Sequence, residues 1–314
     1  MTRELRRGVC VFGALVLAVG GLPAQGSRRV DLSPADAAIA AGRLDVAEAI
    51  LFDESRRAPR EPAVRGALGA FLAARGRLLV GATLLEEALS FGADSATVEV
   101  RLFEVYRWEG RYDRAAAQRL ARVAPELRDA MRRAGAATLG GAASATVPML
   151  PNEALGIGRI PLAVGGERLE ADIQPLASGI ALPSSMALFA AVEPVGARGD
   201  TTFAVAQSVA IGGVTIGPVP VMLVPSLRTA RLGLDVLALL QPTFDYVART
   251  LTVRSEPSDV PGQALPILLT FPGVSFLPRE GQGPVGLHTV AGRAALRGAR
   301  WTLHLSGGAI VLSR

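Results

Sequence analysis

The chain has no lysine, one cysteine and two histidines, and aromatic residues make up only 5% of its 314 positions. Each shortage narrows the chemistry. All 33 basic residues are arginine, a bias that together with abundant alanine and glycine reads as GC-rich coding rather than as a functional signal. The single cysteine, Cys10, lies in an N-terminal apolar segment, so nothing beyond it can form a disulfide or a thiolate metal site. His288 and His304 alone make neither a metal site nor a catalytic triad. Ser306 has no G-x-S-x-G context, and "GIG" at Gly156–Gly158 lacks the strand–turn–helix unit of a nucleotide site. No P-loop, HExxH or EF-hand sequence is present, and no cofactor is expected. The net charge of +5 is spread among interleaved arginines and acids, without the concentrated basic face that a nucleic-acid partner requires.

What is present begins with Arg3, Arg6 and Arg7 ahead of an apolar run from Gly8 to Leu22 and the exit Pro23-Ala24-Gln25-Gly26. A charged start, a short apolar stretch and small residues describe a signal peptide over 1–26, with an uncleaved anchor as the alternative. The run falls short of the ~20 apolar residues of a membrane span. The expectation is an exported protein, periplasmic or secreted, with no membrane span after signal removal.

From 30 to 137 apolar residues recur at helical spacing. Gly42, Gly76 and Gly110 are 34 residues apart, a helical-hairpin period. Large residues follow two positions later (Leu44, Leu78, Tyr112) and small ones five later (Ala47, Gly81, Ala115), a pattern that lets antiparallel helices pack closely. This resembles a degenerate array of about three tetratricopeptide repeats; a generic helical bundle is the alternative. Either implies a scaffold or a peptide-binding groove, with Tyr106, Trp108 and Tyr112 as candidate lining or core residues. Gly140-Gly141, Pro148 and Pro151 mark 138–156 as a linker.

Beyond it, short apolar strands alternate with turn signals at Gly165-Gly166, Gly212-Gly213 and Gly217-Pro218, with one short helix near "LGLDVLALL". Asp235 stands where a capping carboxylate helps that helix. A small closed barrel is expected over 157–254, followed by a β extension over 255–314.

"DIQPLASGIALP", "VAIGGVTIGPVPVMLV" and "ARLGLDVLALLQPTFDY" occur in that order. Together they resemble the bacterial branch of the retropepsin-like aspartic proteases over roughly 157–254. The fold class expected is therefore α+β multidomain: an N-terminal α-helical tetratricopeptide-like array and a C-terminal all-β retropepsin-like barrel with appended strands. The resemblance implies an Asp-Thr-Gly loop, and anchoring on Ala177-Ser178-Gly179 puts Gln174, Pro175 and Leu176 at those three positions. In that family two carboxylates, one from each half of a dimer, share one proton and act as base and acid. Gln174 can be neither. Pro175 lacks the threonine hydroxyl and a backbone N–H, and Leu176 carries a β-carbon where glycine permits a tight turn. Asp172, two residues back on the same strand face and about 7 Å away along it, is the one substitute acid. His304, in a faint second loop "LHLSGGAI", sits at the aspartate position of that likeness.

The expected function is a protease-like protein without peptidase activity that binds a peptide or protein ligand, with a possible homodimer through the barrel. The alternatives are an aspartic endopeptidase using non-standard residues and a helical-repeat scaffold whose barrel is structural.

Overall fold

The computed structural model describes residues 30–151, 157–271, 273–279, 282–296 and 298–313, and the segment read as a signal peptide lies outside them. Three helical hairpins come first: α1 Ser33–Ala40 with α2 Leu44–Arg57, α3 Pro62–Ala74 with α4 Leu78–Ser90, and α5 Ser95–Trp108 with α6 Tyr112–Ala117. A seventh helix, α7 Pro125–Ala134, follows. Proline opens α3 and α7, where its missing N–H has no intrahelical acceptor to lose. Asp94 caps α5 by accepting from Thr97 N at 3.0 Å.

The sequence period has a packing meaning. Leu44, Leu78 and Tyr112 are buried, as are Ala47 and Ala115. A β-carbon at Gly81 would lie 2.7 Å from Ala73 Cβ and from Gly69 O, so only glycine lets α3 and α4 approach this closely. The turn glycines Gly42, Gly76 and Gly110 all have positive φ, at 70°, 79° and 68°. They also form a seam with the β half. A β-carbon would meet Gln282 O at 2.3 Å from Gly42, Leu305 O at 2.0 Å from Gly76, and Leu239 at 3.2 Å from Gly110. Every hairpin thus presents its turn to a later segment of the chain.

The β half holds two sheets. The larger contains β1 Thr138–Gly141, β3 Leu150–Pro151, β4 Gly158–Val164, β5 Glu167–Gln174, β6 Ile180–Pro183, β7 Val192–Arg198, β8 Thr201–Ala206, β9 Val209–Ile211, β10 Val214–Gly217, β11 Val219–Val224 and β12 Ala230–Gly233. Its order is β1-β10-β9-β4-β5-β12-β6-β11-β8-β7, with β3 paired to β4. Along β4, Gly158, Ile160, Leu162 and Val164 point inward in strict alternation. The sheet curls, but among the described residues β1 and β7 do not pair, so the expected closed barrel is an open curled sheet.

The smaller sheet contains β2 Ser144–Pro148, β13 Thr243–Asp245, β14 Thr250–Arg254, β15 Gln263–Leu269, β16 Val274–Phe276, β17 Val285–Gly286, β18 Arg300–His304 and β19 Ala309–Ser313. Its order is β17-β16-β15-β19-β18-β13-β14-β2. Among the described residues of this half there are also two short helices, α8 Leu234–Leu237 and α9 Val290–Leu296.

Two expectations need correction. Residues 138–151, read as part of a linker, form β1, β2 and β3 and pair into both sheets. The boundary at 254 is not a sheet boundary either, because β13 pairs with β14 and also with β18 of the C-terminal part. Phe244 and Trp301 stack across that last pairing, with ring centroids 4.1 Å apart. The core is shared as well: Leu268 and Leu277 of the β half cluster with Leu51, Leu68 and Leu72 of the helices.

Candidate functional site

The loop between β5 and β6 is built by three strands. β12 lies between β5 and β6, parallel to β5 (Gly233 opposite Gln174) and antiparallel to β6 (Leu232 opposite Ile180). Gly233 N donates to Gly179 O at 2.8 Å. Gly233 has no room for a side chain, since a β-carbon would sit 2.4 Å from Asp235 Oδ1 and 2.6 Å from Ala177 O. Gly179 closes the loop at φ 69°, a conformation that costs a residue with a β-carbon roughly 1–2 kcal/mol.

Asp235 holds the loop's far end. Its carboxylate accepts from Gly179 N at 2.9 and 3.0 Å and from Val236 N at 3.0 Å. It is not the helix cap that the sequence suggests: Gly233 occupies the cap position and Asp235 lies inside α8. A buried guanidinium, Arg107 from α5, pairs with Asp235 Oδ2 across 128 residues of sequence. Arg107 Nη1 also lies 3.2 Å from Glu104 Oε2, an ion pair without hydrogen-bond alignment. Burial disfavours the Arg107 cation, yet attraction to Asp235 and Glu104 outweighs it and raises its pKa. Glu104 is pushed above the usual carboxylate value, chiefly by burial, with Arg107 opposing and Asp235 adding to the shift. The helical half therefore reaches into the loop through one buried charge chain, Glu104–Arg107–Asp235–Gly179.

The near end of the loop carries Gln174, half-buried, then buried Pro175 and Leu176, which is 50% exposed. A turn from the C-terminal part packs onto it. Thr270 N donates to Gly273 O at 2.9 Å, and a β-carbon at Gly273 would lie 3.0 Å from Leu176 Cδ2 and 3.7 Å from Pro175 O. Phe271 of the same turn meets Trp108 edge-on at 6.2 Å. Nothing at Gln174, Pro175 or Leu176 can accept or release a proton near neutral or acid pH.

Asp172 is not poised to substitute. It is 6% exposed, and Arg159 on β4 directly opposite grips both its oxygens, Nε to Oδ1 at 2.8 Å and Nη2 to Oδ2 at 3.3 Å. This fork keeps both oxygens engaged. Ala177 and Ser178 are half-buried links between the two ends. His304 ends β18, its Nε2 3.4 Å from Ser306 Oγ, and the following turn packs on Gly76 of the helical half. Among the described residues no cluster of three His, Cys, Asp or Glu side chains could hold a metal ion.

The aromatic candidates are in the core. Tyr106, Trp108 and Tyr112 are 1%, 0% and 2% exposed, so none offers its ring to a ligand at the surface. Tyr106 OH donates to Glu86, and its pKa is pushed up to about 12, chiefly by burial and then by that bond. Burial and the Asp235 charge raise Tyr112 still further. Trp108 nevertheless borders a cleft of about 600 Å³ between the halves. Its lining includes Arg77, Leu79, Val80, Leu239, Leu305 and Ser306, and Leu79 and Val80 are 64% and 52% exposed. The roles of Arg107 and Arg159 escaped the sequence reading. The available signal was an arginine set between two apolar aromatics, Tyr106 and Trp108, on a helix of apolar period.

No family model and no curated protein matches the chain. Among solved structures, it is similar to a retropepsin-like aspartic protease from Rickettsia conorii, with 16% sequence identity and a TM-score of 0.28 over 38% of this chain and 91% of that one. A likeness so slight carries no functional argument by itself. The chemistry rests on the loop's own residues.

Proposed function

We propose that this protein is an aspartic-protease-like scaffold without peptidase activity that binds a peptide or protein segment. The observation that carries the reading is the loop Gln174-Pro175-Leu176. It stands at the end of β5, where the sequence resemblance calls for an acid, a hydroxyl brace and a turn glycine, and supplies none of them. The engagement of Asp172 by Arg159 and of Asp235 by Arg107 supports it, because neither acid is placed to serve as a base. The tetratricopeptide-like period and the N-terminal segment fit a scaffold exported to the periplasm or beyond.

The cleft between the halves is where this reading places the ligand. Exposed Leu79 and Val80 beside Leu239 and Leu305 offer apolar contact, while Arg77, Glu109, Arg111 and Gln241 supply polar groups among the lining residues. Its occupant is an extended segment with apolar side chains. The test is a peptide array probed with the pure protein and with Leu79→Asp and Leu305→Asp. Sequence-selective binding lost in both variants is expected. Selective binding that survives both removes the cleft from the proposal, and acid-pH cleavage of the bound peptides overturns the reading as a whole.

A further inference from the structure

A second cleft, of about 800 Å³, lies on the smaller sheet, away from the β5–β6 loop in sequence and in strand order. Thr243 of β13, Arg254 of β14, and Arg300 and Thr302 of β18 line it. The segment Asp259–Gln263, with Leu312 and Ser313 of β19, forms the rest of its wall. That wall is anchored on both sides. Gln241 Nε2 donates to Ser258 O at 2.6 Å while Ser258 N donates to Gln241 Oε1 at 2.9 Å, and Ser313 Oγ donates to Pro261 O at 3.2 Å.

The hydrogen bonds leave a surplus donor. Arg254 Nη1 donates to Thr243 Oγ1 at 2.8 Å, and Thr243 Oγ1 and Thr302 Oγ1 are 2.7 Å apart. Whichever hydroxyl donates within that pair, the other retains a proton that no acceptor among the described residues takes. Both hydroxyls are buried, Thr302 completely. A buried donor without an acceptor is costly, and a ligand oxygen would satisfy it.

The charges point the same way. Neither Arg254 nor Arg300 forms an ion pair among the described residues. Burial, and then the like charge of Arg300, lower the pKa of Arg254. Asp245, opposite Arg300 in the strand pairing, turns its carboxylate to Ala248 N at 2.7 Å. Asp259, the one acid of the lining, is exposed. We propose that this cleft binds an oxyanion, a carboxylate or phosphate group held between the Arg254 and Arg300 guanidiniums with the threonine pair donating from beneath. It is independent of what the loop at Gln174 does.

The probes are inorganic phosphate and a matched pair of short peptides, one with a free C-terminal carboxylate and one amidated, titrated by calorimetry at low salt. Phosphate or the free-acid peptide is expected to bind. Arg300→Gln, an exposed substitution that spares the fold, weakens binding about tenfold or more, the scale of one lost charge-assisted hydrogen bond. Thr302→Val weakens it as well, while Arg168→Gln on the other sheet leaves it unchanged. Preference for the free acid over both amide and phosphate names a peptide terminus as the source, and preference for phosphate names a phosphorylated ligand. No binding of any probe at millimolar concentration, or binding unaffected by Arg300→Gln, overturns the proposal.

Discussion

Replacing Asp235 by asparagine keeps the side chain's shape and removes its charge. The remaining carbonyl oxygen can still accept from Gly179 N or Val236 N, but the new amide faces the Arg107 guanidinium with like polarity. Arg107 has 8% of its side chain exposed, so solvent cannot take over the role of the lost carboxylate. Removing one partner of a buried pair costs about 3–5 kcal/mol. Glu104, still 3.2 Å away, places the expected loss near the lower end, at about 3 kcal/mol. Arg107→Met costs less, about 1–3 kcal/mol, because Asp235 keeps two backbone donors. The decisive quantity is the sign of the double change. With both charges gone, Glu104 is the acid left in the cluster, and its raised pKa lets it take up a proton rather than stay a stranded ion, so Arg107→Met combined with Asp235→Asn should be more stable than Asp235→Asn alone. The coupling energy should be about 1–3 kcal/mol. Urea unfolding followed by tryptophan fluorescence reads this directly, since Trp108 adjoins Arg107 and Trp301 reports on the smaller sheet. A double variant no more stable than Asp235→Asn, or an Asp235→Asn loss under about 1 kcal/mol, refutes the buried charge chain as the link between the halves.

Three further expectations follow from single positions. Gly76→Ala and Gly92→Ala share the positive-φ penalty of about 1–2 kcal/mol, but a β-carbon at Gly76 would lie 2.0 Å from Leu305 O while one at Gly92 meets nothing within 4 Å, so Gly76→Ala should lose clearly more in thermal unfolding. Gly233→Ala forces Ala177 O or Asp235 aside and should cost about 2–4 kcal/mol, with amide exchange accelerated at Gly179. Glu104 binds its proton more tightly in the folded chain than in the unfolded one, so its contribution to stability is full below its ordinary value of 4.5 and is lost as pH rises through the raised folded value. Glu104→Gln should therefore gain on the native protein as pH rises from about 4.5, and a gap that closes instead contradicts the burial described for this acid.

Much of the helical half was legible because its information is local. The Gly42–Gly76–Gly110 period sets the hairpin turns, and the large and small positions that follow each glycine set the packing. The seam those glycines make with Gln282 and Leu305 was not legible, because it joins segments more than two hundred residues apart. The same holds for β1 and β2. Their glycines and prolines read as chain breakers, yet both are edge strands, where such residues are tolerated. At the loop, Gln174, Pro175 and Leu176 were read from spacing, while the partners that fix its frame lie elsewhere: Arg159 on the neighbouring strand and Arg107 on a helix of the other half. Tyr106, Trp108 and Tyr112 were ambiguous between groove and core for a related reason, since one helix face looks alike in sequence whether a ligand or another helix covers it.

The β5–β6 loop keeps its frame without a carboxylate at Gln174, Pro175 or Leu176. Incubating the pure protein with an unfolded protein substrate from pH 3 to pH 7, with and without pepstatin and alongside Asp172→Ala, shows whether that loop is inert. No turnover above the buffer control is expected at any pH, with the variant indistinguishable from the native chain. Pepstatin-sensitive cleavage that disappears in Asp172→Ala would contradict it, because Asp172 would then have left Arg159 to act as the catalytic carboxylate.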